Sequence, residues 1–215
     1  MSGDLQDVQF FVMTPGDYED TETLLNNHFF RRNPLSVAAK QLSVESFSPQ
    51  LVVDIKKCLA SGVSIGARAN GAKTLAGVFL NSSLSVDEIS TKYTVNLDTS
   101  CIVYRVLEML STGEQVFNDM KVQRVLDLFT LCVHEDFERR GLARTLLEKS
   151  LLLAKEQGHQ AACVQTTNSI TEKICVPLGF HTVKSLDLTT VSDDLGIDLS
   201  LLGGTRLVKA MIKLL

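Results

Sequence analysis

Residues 125–133 read VLDLFTLCV, a nearly unbroken apolar run, and residues 141–157 follow close behind with an amphipathic helical pattern. A strand of that composition hides both faces, so it belongs in the middle of a sheet with further layers above and below. In the helical segment Leu142, Leu146, Leu147, Leu151 and Ala154 form one apolar stripe, while Glu148, Lys149, Lys155 and Glu156 face water. Gly158 closes the helix. A buried strand feeding straight into a half-buried helix points to an α/β architecture.

The rest of the chain supplies the partners such a strand needs. Val8–Met13 reads as a strand, and Thr14-Pro15-Gly16-Asp17 as the start of a helix running to about Phe29, stopped by Asn33-Pro34. Ser48–Ala60 is amphipathic through Leu51, Val52, Ile55 and Leu59. Val63–Ala67 and Thr74–Leu80 form a hairpin around Asn70-Gly71. Residues 81–120 are the least regular stretch, with a helix expected from about Ser100 to Leu110. Ala161–Thr166, Thr182–Leu188 and Arg206–Leu214 read as strands, and Ser169–Leu178 as a short helix. With no repeat and no low-complexity linker, residues 1–215 are expected to form one domain, a mixed central sheet flanked by helices.

Composition narrows the partners. Lys and Arg number 21 against 25 Asp and Glu, a net charge of −4, which disfavours general affinity for nucleic acid or an anionic membrane. No apolar run reaches the roughly 20 residues that span a bilayer, and the Met1-Ser2-Gly3-Asp4 start lacks a secretory pattern. Cys58, Cys101, Cys132, Cys163 and Cys175 are scattered without CxxC spacing, and His28, His134, His159 and His181 lie far apart. No metal site is therefore expected, and a reducing cytoplasmic location fits best.

The chemistry concentrates where the buried strand meets the helix, at Leu131-Cys132-Val133-His134-Glu135-Asp136-Phe137-Glu138-Arg139-Arg140-Gly141-Leu142-Ala143-Arg144-Thr145. The first amides of a helix have no intrahelical acceptor and carry partial positive charge. Gly141 lets backbone approach an anion without a Cβ in the way, and Arg139, Arg140 and Arg144 add charge. These are the components of a pyrophosphate cradle. The plainer reading is a helix that simply follows a strand, its arginines solvated. GxGxxG and GxxxxGK[ST] are both absent, so neither a dinucleotide fold nor a P-loop is supported.

Glu138-Arg139-Arg140-Gly141-Leu142-Ala143, followed by Asn168 and Pro177-Leu178-Gly179-Phe180, resembles the acetyl-CoA core of the GNAT superfamily of N-acetyltransferases over Val125–Phe180. Glu138 stands where Gln or Arg is usual, and Cys175 where Tyr is frequent. A carboxylate at 138 would repel a pyrophosphate. The resemblance implies that main-chain groups of Leu131, Cys132 and Val133 hold the pantetheine arm like an added strand. It also implies that the turn from Glu138 through Thr145, with Asn168, completes the acetyl-CoA site. Asn27–Leu35 (NHFFRRNPL) is similar to the FF…EPL segment of invertebrate arylalkylamine N-acetyltransferases, with Asn33 at the position of the base Glu.

The implied activity is transfer of an acetyl group from acetyl-CoA to a small primary amine, arylalkylamine or polyamine-like, by direct attack in a ternary complex. A main-chain amide near Val133 would polarise the thioester. Asn33 takes no proton at neutral pH, so His28 and His134 are the candidate bases. Their plainer roles are a packed or capping residue and a surface residue beside the cradle. Thr167, Thr171 and Cys175 are placed near the leaving thiol, against plain capping or packing. Phe29, Phe30 and Pro34, with part of 81–120, would line the acceptor pocket, or the phenylalanines would fill the core. The rival class is a CoA-binding protein with weak or lost catalysis. A protein N-terminal or lysine acetyltransferase fits the FF…PL segment less well.

Overall fold

The computed structural model describes residues 5–39, 47–85, 87–88, 101–112 and 115–215. The Met1–Asp4 start and, within the irregular stretch, residues 86, 89–100 and 113–114 lie outside the described residues. Among the described residues seven strands form one sheet: β1 (Val8–Val12), β2 (Ile65–Ala69), β3 (Leu75–Ser85), β4 (Arg124–Val133), β5 (Ala161–Thr166), β6 (His181–Asp187) and β7 (Leu207–Leu214). Their order across the sheet is β1-β2-β3-β4-β5-β7-β6. The apolar run of residues 125–133 is the central strand, as its composition requires. Only the β4–β5 pair is parallel, which makes the sheet mixed.

The helices, numbered in chain order, are α1 (Tyr18–Leu24), α2 (Pro34–Ala38), α3 (Pro49–Ala60), α4 (Ile102–Met109), α5 (Gln115–Asp119), α6 (Leu142–Glu156), α7 (Ser169–Cys175) and α8 (Ser192–Leu195). On one face of the sheet, Leu142, Leu146, Leu147 and Leu151 of α6 and Cys175 of α7 pack against Leu126, Leu128, Ala162 and Val164. On the other, Leu24, Leu25, Ile55 and Leu59 pack against Val78, Leu80 and Cys132. Each fully buried Leu or Ile contributes roughly 1.5–3 kcal/mol, so these two layers fix the sheet between them.

Three local departures from the sequence reading shape the molecule. The first helix is not uniform: a 3-10 turn over Pro15–Asp17 leads into α1, and Leu25–Phe29 form a π turn closed by Phe30 N–H donating to Leu25 O at 3.1 Å. Asn33-Pro34 ends that helix but also begins α2, because Asn33 Oδ1 accepts from Leu35 N (3.1 Å) and Ser36 N (3.2 Å) while Pro34 sits at the first helical position. The Ser169–Leu178 helix is α7 followed by a 3-10 turn over Val176–Leu178.

An irregularity in β4 matters most for the site. Leu80 pairs with Thr130 but Asn81 pairs with Leu128, so Phe129 is an extra residue in β4. A bulge shifts side-chain parity. Leu126 and Leu128 face α6 below it, whereas Leu131 and Val133 face α6 above it and Cys132 faces α1. The pairing with β5 covers only Val125↔Ala161 to Leu128↔Val164 and stops at the bulge. Above it, β4 stays with β3 up to Val133↔Gly77, while β5 continues with β7. The two central strands fork at Phe129.

Gly77 sets how close α6 lies to the fork. A Cβ built there would meet Cys132 O at 3.1 Å, Leu146 Cδ1 at 3.2 Å and Leu142 Cδ2 at 3.3 Å. Gly77→Val is therefore expected to destabilise the protein by about 1–3 kcal/mol through overpacking, read as a lowered urea midpoint with an unchanged slope. His159 is 3% exposed, with Nδ1 on Ala154 O and Nε2 on Ser83 Oγ, each at 3.0 Å. Burial, aided by Arg124, lowers its pKa against the opposing pull of the Ala154 carbonyl. The folded state thus favours neutral His159, and the unfolded chain binds more protons as the pH falls. The stability this residue contributes is present at neutral pH and lost on acidification. Melting temperature should drop between about pH 7.5 and 5.5, and His159→Gln should flatten that part of the profile.

Candidate functional site

Above the fork, the β4–β5 register ends at Leu128↔Val164, and the edge of β4 from Thr130 to Val133 has no partner strand on the β5 side among the described residues. The chain leaves that edge through His134, whose N–H donates to Ala76 O at 2.9 Å and whose Nδ1 accepts from Asp136 N at 3.3 Å. A 3-10 turn over Glu135–Phe137 follows, then Glu138 in extended conformation. Arg139 and Gly141 both take left-handed backbone, with φ of 59° and 83°. Gly141 suits that region, and a residue with a side chain such as Arg139 is strained there.

A left-handed Gly141 followed by helical Leu142 turns consecutive N–H groups to one side, forming a concavity suited to an anion. The first helical bond of α6 is Thr145 N to Gly141 O at 3.0 Å, so the amides of Leu142, Ala143 and Arg144 have no acceptor within the helix. No acidic residue sits in the first turn, and nothing lies within 4 Å of the Gly141 Cβ position. The start of α6 is thus open at Gly141, with acceptor-free amides, eight residues after the end of β4. Around it, Arg140 lies over the Phe137 ring at 5.2 Å and Arg144 Nε bonds Glu148 Oε1 at 2.8 Å.

The segment from the π turn to α2 closes over this corner. Arg32 forms an ion pair with Glu138. The His28 ring packs against that of His134, with centroids 4.0 Å apart and planes tilted by 38°. The two candidate bases, 106 positions apart in the chain, therefore form one pair. Burial lowers the His28 pKa first, and the charges of His134 and Arg32 lower it further against the opposing pull of Glu135 and Asp136. Phe29 and Phe30 are half-buried, edge to face at 5.2 Å, and Phe30 meets Phe47 at 5.3 Å. Both pack on the α1–α3 core, and Pro34 is half-buried at the start of α2.

Beyond the end of β5, Asn33 Nδ2 donates to Thr167 Oγ1 at 3.2 Å. That bond joins the α2 cap to the strand end across the sequence. Asn168 caps α7, its Oδ1 accepting from Thr171 N at 2.9 Å and Thr171 Oγ1 at 3.1 Å. Cys175 is wholly buried in the α6–α7 core, where burial, aided by Glu172, pushes its thiol up to about 12. Cys132 is likewise buried and pushed up to about 12. A thiol held that high keeps its proton and is a poor donor to a more acidic thiolate.

Sequence reasoning did not single out Arg32 or Phe129. Arg32 lies among other basic residues with nothing local to mark it, and a bulge needs the partner strand's register to be seen. The pairing of His28 with His134 also carries no signal in a single sequence.

No family model and no curated protein matches the chain. Solved structures do. Arylalkylamine N-acetyltransferase 2 from Aedes aegypti is similar at a TM-score of 0.82 and 24% identity, covering 97% of this chain and 99% of that one. A Drosophila melanogaster polyamine N-acetyltransferase that catalyses formation of N-acetylagmatine is similar at 0.78 and 16%, covering 97% and 100%. Arabidopsis thaliana NAA60 in complex with acetyl-CoA is similar at 0.56 and 15%, covering 97% and 98%. The chain therefore has the N-acetyltransferase fold, a mixed seven-stranded sheet flanked by helices.

The paired histidines give a direct test of the corner. In two-dimensional NMR titrations His28 should titrate below the usual histidine range, and His134→Asn should move it part of the way back. A midpoint for His28 at or above the usual value would contradict this half-buried pairing.

Proposed function

We propose that the protein is an acetyl-CoA-dependent N-acetyltransferase whose acceptor is a small primary amine. The observation that carries this reading is the succession of two features in one stretch of chain: a strand edge from Thr130 to Val133 with no partner on the β5 side, and the open, acceptor-free amides at the start of α6. An amide-rich arm ending in a pyrophosphate has the chemistry to satisfy both, the arm as an added strand and the phosphates at the helix amides. Acetyl-CoA supplies the activated thioester. The likeness in fold to enzymes named for arylalkylamine and polyamine acetylation supports an amine acceptor.

In this reading Leu131, Cys132 and Val133 offer main-chain groups to the arm, and the turn from Glu138 through Thr145 holds the phosphates. An unprotonated amine attacks the thioester carbonyl, a new C–N bond forms, and the C–S bond breaks to release CoA thiolate. A main-chain amide on the free edge of β4 stabilises the developing oxyanion. Asn33 holds α2 and Thr167 in place but takes no proton. Its N–H donates to Thr167 Oγ1, so the Thr167 hydroxyl keeps its own proton to direct at the departing thiolate. His28, with its lowered pKa, is neutral at neutral pH and is the base of this segment. Thr171 and Asn168 orient the start of α7, and Phe29, Phe30 and Pro34 wall the acceptor side.

One observation favours a second reading, a CoA-binding protein with little catalysis: the Asn33 side chain is committed to capping α2 and to Thr167. Thiol release from acetyl-CoA, measured against arylalkylamines, polyamines and amino acids, separates the two. Release with one amine class is the expected result and names the acceptor class. Acetyl-CoA binding without release leaves the binding protein. Gly141→Glu, which puts bulk and charge beside the phosphates, should abolish acetyl-CoA binding by calorimetry while the protein remains folded by circular dichroism. Unchanged affinity would remove the cradle assignment.

A further inference from the structure

Glu138 presents a difficulty that the cradle's amides do not resolve. It stands three residues before Gly141, in the turn that leads into the acceptor-free amides of α6. An unpaired carboxylate there would oppose any phosphate by like-charge repulsion. The Arg32 guanidinium, which reaches Glu138 from the far end of the π turn, is the group that meets it. Both side chains are about two-fifths exposed, 41% for Arg32 and 38% for Glu138. A pair this exposed adds little to folding, so its consequence lies elsewhere. Arg32 also offers more N–H donors than one carboxylate oxygen uses.

We propose that Arg32 is a positioning residue of the anion cradle: it cancels the Glu138 charge and holds that side chain aside, so that the amides at the start of α6 meet a phosphate without a competing carboxylate. The ligand is the diphosphate of the CoA group, and the inference rests on the reading of the cradle given above. It also explains why a carboxylate can stand in an anion-binding turn at all. The cation that balances it comes from residue 32 rather than from the turn's own arginines, two of which are engaged with Phe137 and Glu148.

Calorimetric titration with CoA at low ionic strength tests this in four proteins: the unchanged chain, Arg32→Ala, Glu138→Gln and the double variant. Arg32→Ala should weaken CoA binding roughly tenfold, the size of one charge at about 3 Å in a water-like dielectric, as suits so exposed a pair. Glu138→Gln should bind as well as the unchanged chain or more tightly. The double variant should recover most of the lost affinity, and Arg32→Lys should retain much of it. The melting temperatures of all variants should agree closely, since the pair is exposed. Unchanged affinity in Arg32→Ala would overturn the inference, as would a double variant as weak as Arg32→Ala. If the unchanged chain itself bound no CoA, the cradle reading would fall and this inference with it, an outcome distinct from the variant failures.

Discussion

The site depends on one irregularity in backbone pairing. Parallel strands β4 and β5 hydrogen-bond from Val125 to Leu128 and then part where Phe129 enters as an extra residue. Had the ladder continued, every backbone group of Thr130–Val133 would have been consumed inside the sheet, and no ligand could add to that edge. The bulge releases the edge and also reverses which face each later side chain occupies. Leu131 and Val133 therefore anchor to α6, while Cys132 turns toward α1. The free edge is held rigidly, because on its other side β4 stays paired to β3 as far as Gly77.

The second dependence is on how α6 begins. Left-handed Arg139 and Gly141 turn the chain so that the helix starts with its amides toward the open corner. Leu142 and Leu146, packed against the bare backbone of Gly77, fix its position. Strain at Arg139 is tolerated because the turn is held at both ends, by His134 bonded to Ala76 and by the buried face of α6. Onto this corner the segment from His28 to Asn33 adds three contacts of different kinds: a packed imidazole pair, an ion pair and a cap shared with Thr167. The two sides proposed for the cradle and the acceptor are thereby joined by one short stretch of chain.

Much of this was legible in the sequence where signals are local. The apolar run of Val125–Val133 announces a central strand because a strand with no polar face must be covered twice. The stripe from Leu142 to Ala154 announces the helix that covers it, and Gly141 marks its start. Asn168 reads as a cap and is one. Asn33-Pro34 was legible as a helix end, but the same two residues begin α2, since Asn and Pro suit both a stop and a start. The π turn over Leu25–Phe29 carried no signal, because one extra residue per turn is invisible in a short amphipathic pattern.

What the sequence alone determined was the strand–turn–helix unit and the layered sheet around it, because hydrophobic periodicity and helix-end chemistry act over a few neighbouring residues. What only the tertiary structure decided was the fork at Phe129 and the joining of His28 to His134, Arg32 to Glu138 and Asn33 to Thr167. Each of these couples positions about a hundred or more residues apart in the chain or depends on a partner strand's register. Such couplings exist only once burial has brought the elements together.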